Sequence, residues 1–264
     1  MELNGIITFT TDFGTRDPYI GMLKGIVLTA NPHAYLVDIT HEIPAHDIVN
    51  AAFTLVRSYQ YFPIGTIHVA IVDPGVGGQR KNIAMMTERY IFVGPDNGIF
   101  SLVLSKEKPR EIREIKNPPF ILKTISDTFH GRDIFAPCAG HLSAGKMFTD
   151  IGPVIRRLKN LKYPEVTRDG NKLMGEVVAI DSFGNMITNI TRHTYNSFSG
   201  KMRTEIFFGA VRFDRIMRHY EDVVQGSPLV LFGSSGYMEV SMNEGSAAVY
   251  FMASVGSPVT IRRY

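Results

Sequence analysis

The side chains in this sequence that can do chemistry fall in short polar loops rich in glycine. They are Asp12, Arg16 and Asp17 in TTDFGTRDPYIG; Asp73 and Arg80 in VDPGVGGQR; and His130, Arg132 and Asp133 in TFHGRDIFAP. Further along come Asp181 and Asn185 in DSFGN, then Ser234, Ser235 and Glu239 in GSSGYME. A carboxylate can accept bonds from sugar hydroxyls or an amine, an imidazole titrates near neutral pH, and a guanidinium offers a fork of donors. Each cluster also has a plain reading, because Asp, Pro and Gly are ordinary turn formers. A surface His130 and an exposed Arg132–Asp133 pair would contribute little, so TFHGRDIFAP fits a site and a solvated loop equally.

Several kinds of chemistry are not supported. VDPGVGGQRK has neither the spacing of a dinucleotide fingerprint nor that of a P-loop, and the eight histidines include no pairing that suits zinc, so no metal is expected. The lone cysteine, Cys138 in IFAPCAGHL, cannot form an internal disulfide; it reads as a small buried residue suited to a reducing cytoplasm. With 28 basic and 25 acidic residues the net charge is only +3 and no basic block stands out, so nucleic acid is not an expected partner. The start MELNGIITFTTDFG lacks the basic opening and unbroken apolar core of a signal peptide. No run approaches the ~18 apolar residues of a membrane span, and a soluble cytoplasmic protein is expected.

The elements that must position these loops are read from periodicity. GIITFTT, AYLVDI, TIHVAIVD and RYIFVG are strand candidates. DPYIGMLKGIVLTANP and AHDIVNAAFTLVRSYQYFP between them show helical spacing. This alternation predicts an α/β domain with a largely parallel sheet. Three of the strands end alike, in TTDFG, VDPGVGG and GPDNG, as an open α/β sheet requires if it is to build a ligand crevice beyond its carboxyl edge. From about residue 152, GPVIRRLKNLKYPEVTRDGNKLMG reads as a connection. After it EVVAIDSFGN, MRTEIFFGAV, SPLVLFGSSG, YMEVSMNE, SAAVYFM and PVTIRRY are short strand-like runs, predicting a small all-β barrel. The expected domains are 1–160 and 161–264.

TTDFGTRDPYIG, DITHEIP, VDPGVGGQR, GPDNGIF, FHGRDIFAP, DSFGNMITNI and GSSGYMEVSMNEGSAA, taken in order, resemble the adenosine-forming S-adenosylmethionine (SAM) hydrolases, relatives of the fluorinase and chlorinase. The resemblance runs from about residue 6 to about 262. It implies an α/β domain followed by a β-barrel, and homotrimers whose active sites lie between the first domain of one subunit and the second of the next. It implies that SAM is the substrate and that no separate cofactor is used. Water or hydroxide attacks ribose C5′ and expels methionine, with Asp73, Arg80 and His130 as the catalytic set.

Other roles follow from the resemblance by position. Asp12 matches the residue that holds the ribose hydroxyls, and Asp17, with Tyr19 nearby, lies toward the methionine portion. Asp181 and Asn185 match groups that hold the amino-acid end and adenine; Phe183 either stacks on adenine or sits in the core. Ser234 and Ser235 fall where the methionine carboxylate is bound, Glu239 joins the binding candidates from the same segment, and the backbone at Asn243–Glu244 falls where the adenine amine is read. The halogenases carry other residues where this chain has Asp73, Val76 and His130, and a nearby carboxylate disfavours halide. His46 lies where the fluorinase has a tryptophan, and neither it nor Arg16 takes a role. The alternatives to a hydrolase are a SAM-dependent halogenase and a nucleoside-binding protein with little activity.

Overall fold

The first apolar run becomes β1 (Ile6–Thr11), buried along nearly its whole length as a strand covered on both faces must be. It belongs to the first of two units, Met1–Leu161 and Lys162–Tyr264, of a computed structural model that describes residues 1–264. The first unit continues with α1 (Tyr19–Ala30), β2 (Tyr35–Thr40), α2 (Ile48–Ser58), β3 (Ile67–Ile71), β4 (Asn82–Met86), β5 (Ile91–Pro95), α3 (Ser101–Leu104), β6 (Glu111–Glu114) and α4 (Ala136–Ser143).

The strands lie in the order β2-β1-β3-β5-β4-β6. β1 is parallel to β2 and β3, and β3 to β5; β4 alone runs against its neighbours. The sheet is therefore mixed, with the expected parallel core. β4 and β6 were not among the strand candidates: NIAMM holds a single β-branched residue, and EIRE is a charged edge with only Ile112 buried.

Alternation along β3 gives each face its own layer. Ile67, Val69 and Ile71 join Ile7 and Phe9 under α1 and α4. On the other face the buried His68 is surrounded by Tyr59, Phe62, Tyr90 and Phe92 and bonded through Nδ1 to the Thr8 hydroxyl at 2.8 Å. Asp47 caps α2 by accepting from the Asn50 amide, and the helix buries Ala51, Ala52, Phe53, Leu55 and Val56.

The second unit holds β7 (Thr167–Asp169), β8 (Lys172–Ile180), β9 (Met186–Thr191), α5 (Arg192–Ser199), β10 (Thr204–Phe208), β11 (Val211–Phe213), β12 (Pro228–Phe232), β13 (Tyr237–Met242), α6 (Ala247–Tyr250) and β14 (Pro258–Arg263). The pairings between its named strands are all antiparallel, in the order β11-β10-β14-β8-β9-β13-β12 with β7 on β8. β8 is the corner: it pairs with β14 through Lys172–Glu176 and then with β9, with a register shift between Val177 and Ala179. Gly175 permits this, since a Cβ there would run into Asn189 and Ile190 of β9. Val177, Ile190, Ile206, Val230, Val240 and Ile261, one from each of six strands, meet in one core, so the sheet curls into the expected barrel.

One strand expectation is corrected. SAAVYFM forms the helical turn α6, because the Ser246 Oγ caps it by accepting from the Val249 amide. β9, by contrast, is a strand that the sequence reading passed over.

Candidate active site

From β1 the chain crosses to β2 on one side, then returns to β3 on the other. Such a reversal leaves a crevice outside the carboxyl ends of the two neighbouring strands, and there the first unit has a cleft of about 260 Å3. Asp12, Phe13, Tyr19, His46, Asp73, Val76, Phe129 and His130 line it. Asp12 Oδ2 accepts the His46 amide at 2.9 Å, and His46 adopts φ 67°, a left-handed conformation uncommon outside glycine. Phe13, Tyr19 and Phe129 pack edge to face, with centroids 5.2 to 6.1 Å apart.

Beneath this wall lies one continuous polar array. The Arg80 and Asp73 side chains are only 8% and 5% exposed. Arg80 Nε is 2.9 Å from both Asp73 oxygens, and Nη2 also pairs with Oδ2. Nη2 is 2.8 Å from His130 Nδ1, and Nη1 donates to Asn82 Oδ1. The guanidinium rests over the Phe135 ring at 5.7 Å. A guanidinium has no lone pair to offer, so Nδ1 of His130 must be the acceptor, and the proton of the neutral ring sits on Nε2. Burial and then the Arg80 charge push the His130 pKa down, against a smaller upward pull from Asp73.

His130 is followed by a wide π-helical turn, Gly131–Phe135, of the kind often found at functional sites. Asp133 within it is wholly buried and accepts the Ser126 amide at 2.7 Å and Arg132 Nε at 2.6 Å. The two readings of TFHGRDIFAP are thereby separated: His130 faces the cleft, and Asp133 anchors the loop that carries it.

The second unit has its own cleft, about 520 Å3, lined by Phe183, Asn185, Tyr220, Met242, Glu244 and Gly245. Asp181 Oδ1 accepts the amides of Phe183 and Asn185, and Oδ2 accepts Asn185 Nδ2, each at 2.9 Å. That turn holds Phe183 outward, 77% exposed, which excludes the core alternative. Glu244 has φ 52°, and its Oε2 accepts Gln225 Nε2. The Tyr220 phenol is pushed up by burial, then by the charges of Glu239 and Asp181.

Two family models account for most of this sequence: the SAM hydroxide adenosyltransferase N-terminal domain over residues 7–152 and the C-terminal domain over 175–260. The chain belongs to the SAM hydroxide adenosyltransferase family. An (R)-S-adenosyl-L-methionine hydrolase of Thermus thermophilus is 34% identical over 97% of this chain and 98% of its own. A fluorinase of Actinoplanes sp. is more distant, 25% identical over 98% of each. An uncharacterized conserved protein from Thermotoga maritima has the same fold, with a TM-score of 0.91 at 35% identity over 97% of this chain and 100% of its own.

Within the chain the sequence candidates separate by place. Asp12, Tyr19, Asp73 and His130 line the first cleft with Arg80 bonded to two of them, while Phe183, Asn185 and Glu244 line the second. Arg16 and Asp17 are exposed and line neither. Ser234 and Ser235 lie in the β12–β13 turn, outside both clefts, with the Ser235 Oγ buried and unbonded. Glu239 is 6% exposed and packs against Gly233 of that turn. The third strand end is a brace: Asp96 Oδ1 accepts the Lys159 amide at 2.8 Å and Asn97 Nδ2 donates to the Val72 carbonyl at 2.7 Å. Phe13, Phe129, Tyr220 and Met242 were missed. The two phenylalanines sat in the quoted motifs, beside Asp12 and His130, whereas nothing in the sequence marked Tyr220.

Proposed function

We propose that this chain hydrolyses SAM to adenosine and L-methionine by in-line attack of water or hydroxide on ribose C5′. The observation that carries this is Arg80 bonded at once to the Asp73 carboxylate and to His130 Nδ1 at the floor of a cleft. The sulfonium leaves as a neutral thioether and needs no acid, so the demand falls on the nucleophile, which must be held in line with the C5′–S bond. With the Nδ1 lone pair occupied by Arg80, His130 presents Nε2–H as a donor to the attacking oxygen. An Asp73 oxygen is then the acceptor for the proton that water loses, and solvent removes it. Arg80 fixes both groups through its fork.

Asp12 holds the ribose hydroxyls in this reading, and Tyr19 faces the methionine end. Phe183 stacks on adenine, while Asn185 and the backbone at Glu244 read its edge. Asp17, Ser234 and Ser235 complete the methionine end in a homotrimer, where each site draws on two copies. SAM is the substrate and no further cofactor is invoked; the lone buried thiol suits a reducing cytoplasm. No helix is long and apolar enough to cross a membrane.

Incubation with SAM in oxygen-18 water, with products read by mass spectrometry, tests the reaction. Label at the 5′ oxygen of adenosine together with unlabelled methionine is expected; tight binding without turnover would sink the proposal. Formation of a 5′-halo nucleoside in excess chloride or fluoride would put a halogenase in its place. Resolved sulfonium epimers extend the assay, with the (R) form expected to turn over faster, and light scattering is expected to give the mass of a trimer.

A further inference from the structure

The motif DITHEIP supplies none of the groups assigned above, yet it laces the loop that carries Asp12. The β1–β2 ladder shifts register between Phe9 and Thr10, so regular backbone pairing falters just before the cleft. Side chains and irregular main-chain bonds take over there. The Thr11 hydroxyl is 2.9 Å from Nδ1 of His41, which is 4% exposed. His41 Nε2 approaches Asp38 Oδ1 at 3.0 Å, a close contact without good hydrogen-bond alignment, and Asp38 Oδ2 is 2.6 Å from Lys24 Nζ of α1. Around this row the Gly14 amide donates to the His41 carbonyl at 2.8 Å, the Ile43 amide to the Thr11 carbonyl at 3.3 Å, and the Thr15 hydroxyl to Glu42 Oε1 at 3.3 Å. The His46 amide reaches Asp12 Oδ2, so Asp12 is held from both ends of the 41–46 segment.

A Thr–His–Asp row invites comparison with a nucleophile set, but the Thr11 side chain is fully buried and meets no substrate. Its geometry serves orientation. We propose that His41 is a positioning residue for the ribose end of the substrate: through Thr11 and the 41–46 main chain it fixes Asp12 to accept two vicinal hydroxyls. This rests on the SAM hydrolase reading, in which Asp12 holds the ribose. A carboxylate that takes two hydroxyls must be preset in angle as well as place, and affinity is lost when it has to be ordered on binding.

The test compares binding of adenosine with binding of 2′,3′-dideoxyadenosine by calorimetry, in the full-length protein and in Thr11→Val, His41→Phe, His41→Asn and Asp12→Asn. Thr11→Val and His41→Phe are expected to weaken adenosine about tenfold, the loss of roughly one well-placed hydrogen bond, and to leave the dideoxy analogue unchanged. KM for SAM should rise in parallel while kcat stays within about threefold. His41→Asn, which keeps a polar atom near the Nδ1 position, should recover part of the loss. Thr11→Val preserves shape and decides the matter if His41→Phe does not fold. The inference is overturned if the folded variants bind both nucleosides as the parent does, or weaken both alike. If Asp12→Asn itself binds adenosine normally, the ribose assignment falls and takes this inference with it. If Asp12→Asn loses adenosine selectively while Thr11→Val and His41→Phe do not, only the positioning role falls.

Discussion

The two clefts hold their groups by opposite means. In the first, a carboxylate, a guanidinium and an imidazole are bonded to one another and largely shielded from solvent. In the second, an aromatic ring stands exposed on a turn whose one carboxylate, Asp181, is occupied by that turn's own amides and the Asn185 side chain. A group that must act on a breaking bond needs a fixed angle and a dry setting, because reorganisation at the moment of reaction is what it has to avoid. A flat base needs only a face to rest on and a few edge contacts. Variants of the Asp73–Arg80–His130 array should therefore act on kcat and those in the second cleft on KM.

Asp73→Asn should break the division most severely if it is wrong. It keeps the shape of the side chain and removes the proton acceptor, so kcat should fall about a thousandfold with KM little changed. It also leaves the buried Arg80 guanidinium short of its counter-charge, and unfolding stability should drop by about 3 kcal/mol. Steady-state kinetics and thermal melts read the two effects separately; a normal kcat would remove Asp73 from the chemistry.

Phe183→Ala is the matching variant in the second cleft. Loss of a stacking face should raise KM about tenfold and leave kcat within about twofold. Because the ring is 77% exposed, the melting temperature should hardly move. A collapse of kcat instead would mean that the second cleft does more than hold the base.

Acid sharpens the same contrast, because only the first cleft is lined by histidine. Protonation of His130 removes the lone pair that accepts from Arg80, so kcat should fall in acid by up to about tenfold per pH unit. Burial and the Arg80 charge place that limb below the ordinary histidine value of about 6.5. The sign for stability is the same. Between that ordinary value and the lowered folded value the unfolded chain binds more protons, so the contribution is complete above the ordinary value and is lost as pH falls through the folded one. Buried His68, pushed down to about 3, adds to this acid loss without touching the cleft. An acid limb above the ordinary histidine value, or a kcat that rises in acid, would contradict a neutral His130 accepting from Arg80.

Much of the first unit was legible because its central strands are continuous apolar runs with polar ends, a pattern that buried parallel strands impose. The order in which those strands lie was not. TTDFG, VDPGVGG and GPDNG look alike as sequence, and only the crossing β2-β1-β3-β5 shows that β1 and β3 flank the reversal while β5 does not. The motif around His130 was visible, but its orientation depends on a π turn and a buried Asp133 that no periodicity encodes. In the second unit the motif DSFGN announced Phe183 and Asn185. Tyr220 reaches the same cleft from a segment of ordinary polar residues, brought there by the curl of the sheet.

The smallest expected effect is the one that separates the three strand ends. Asp96→Ala removes the acceptor for the Lys159 amide and should cost about 1 kcal/mol of stability, a shift of a few degrees in melting temperature. It should leave kcat and KM within about twofold, because Asp96 does not line the cleft. Asp12→Ala, the same substitution at an equivalent place in the sequence pattern, removes the acceptor for the His46 amide and should shift the melting temperature by a similar amount, but it should also raise KM. If Asp96→Ala lowered kcat, the brace at the end of β5 would have to be transmitting its position to Asp73 through Asn97 and the Val72 carbonyl, and the chemistry would depend on all three strand ends rather than on the two beside the reversal.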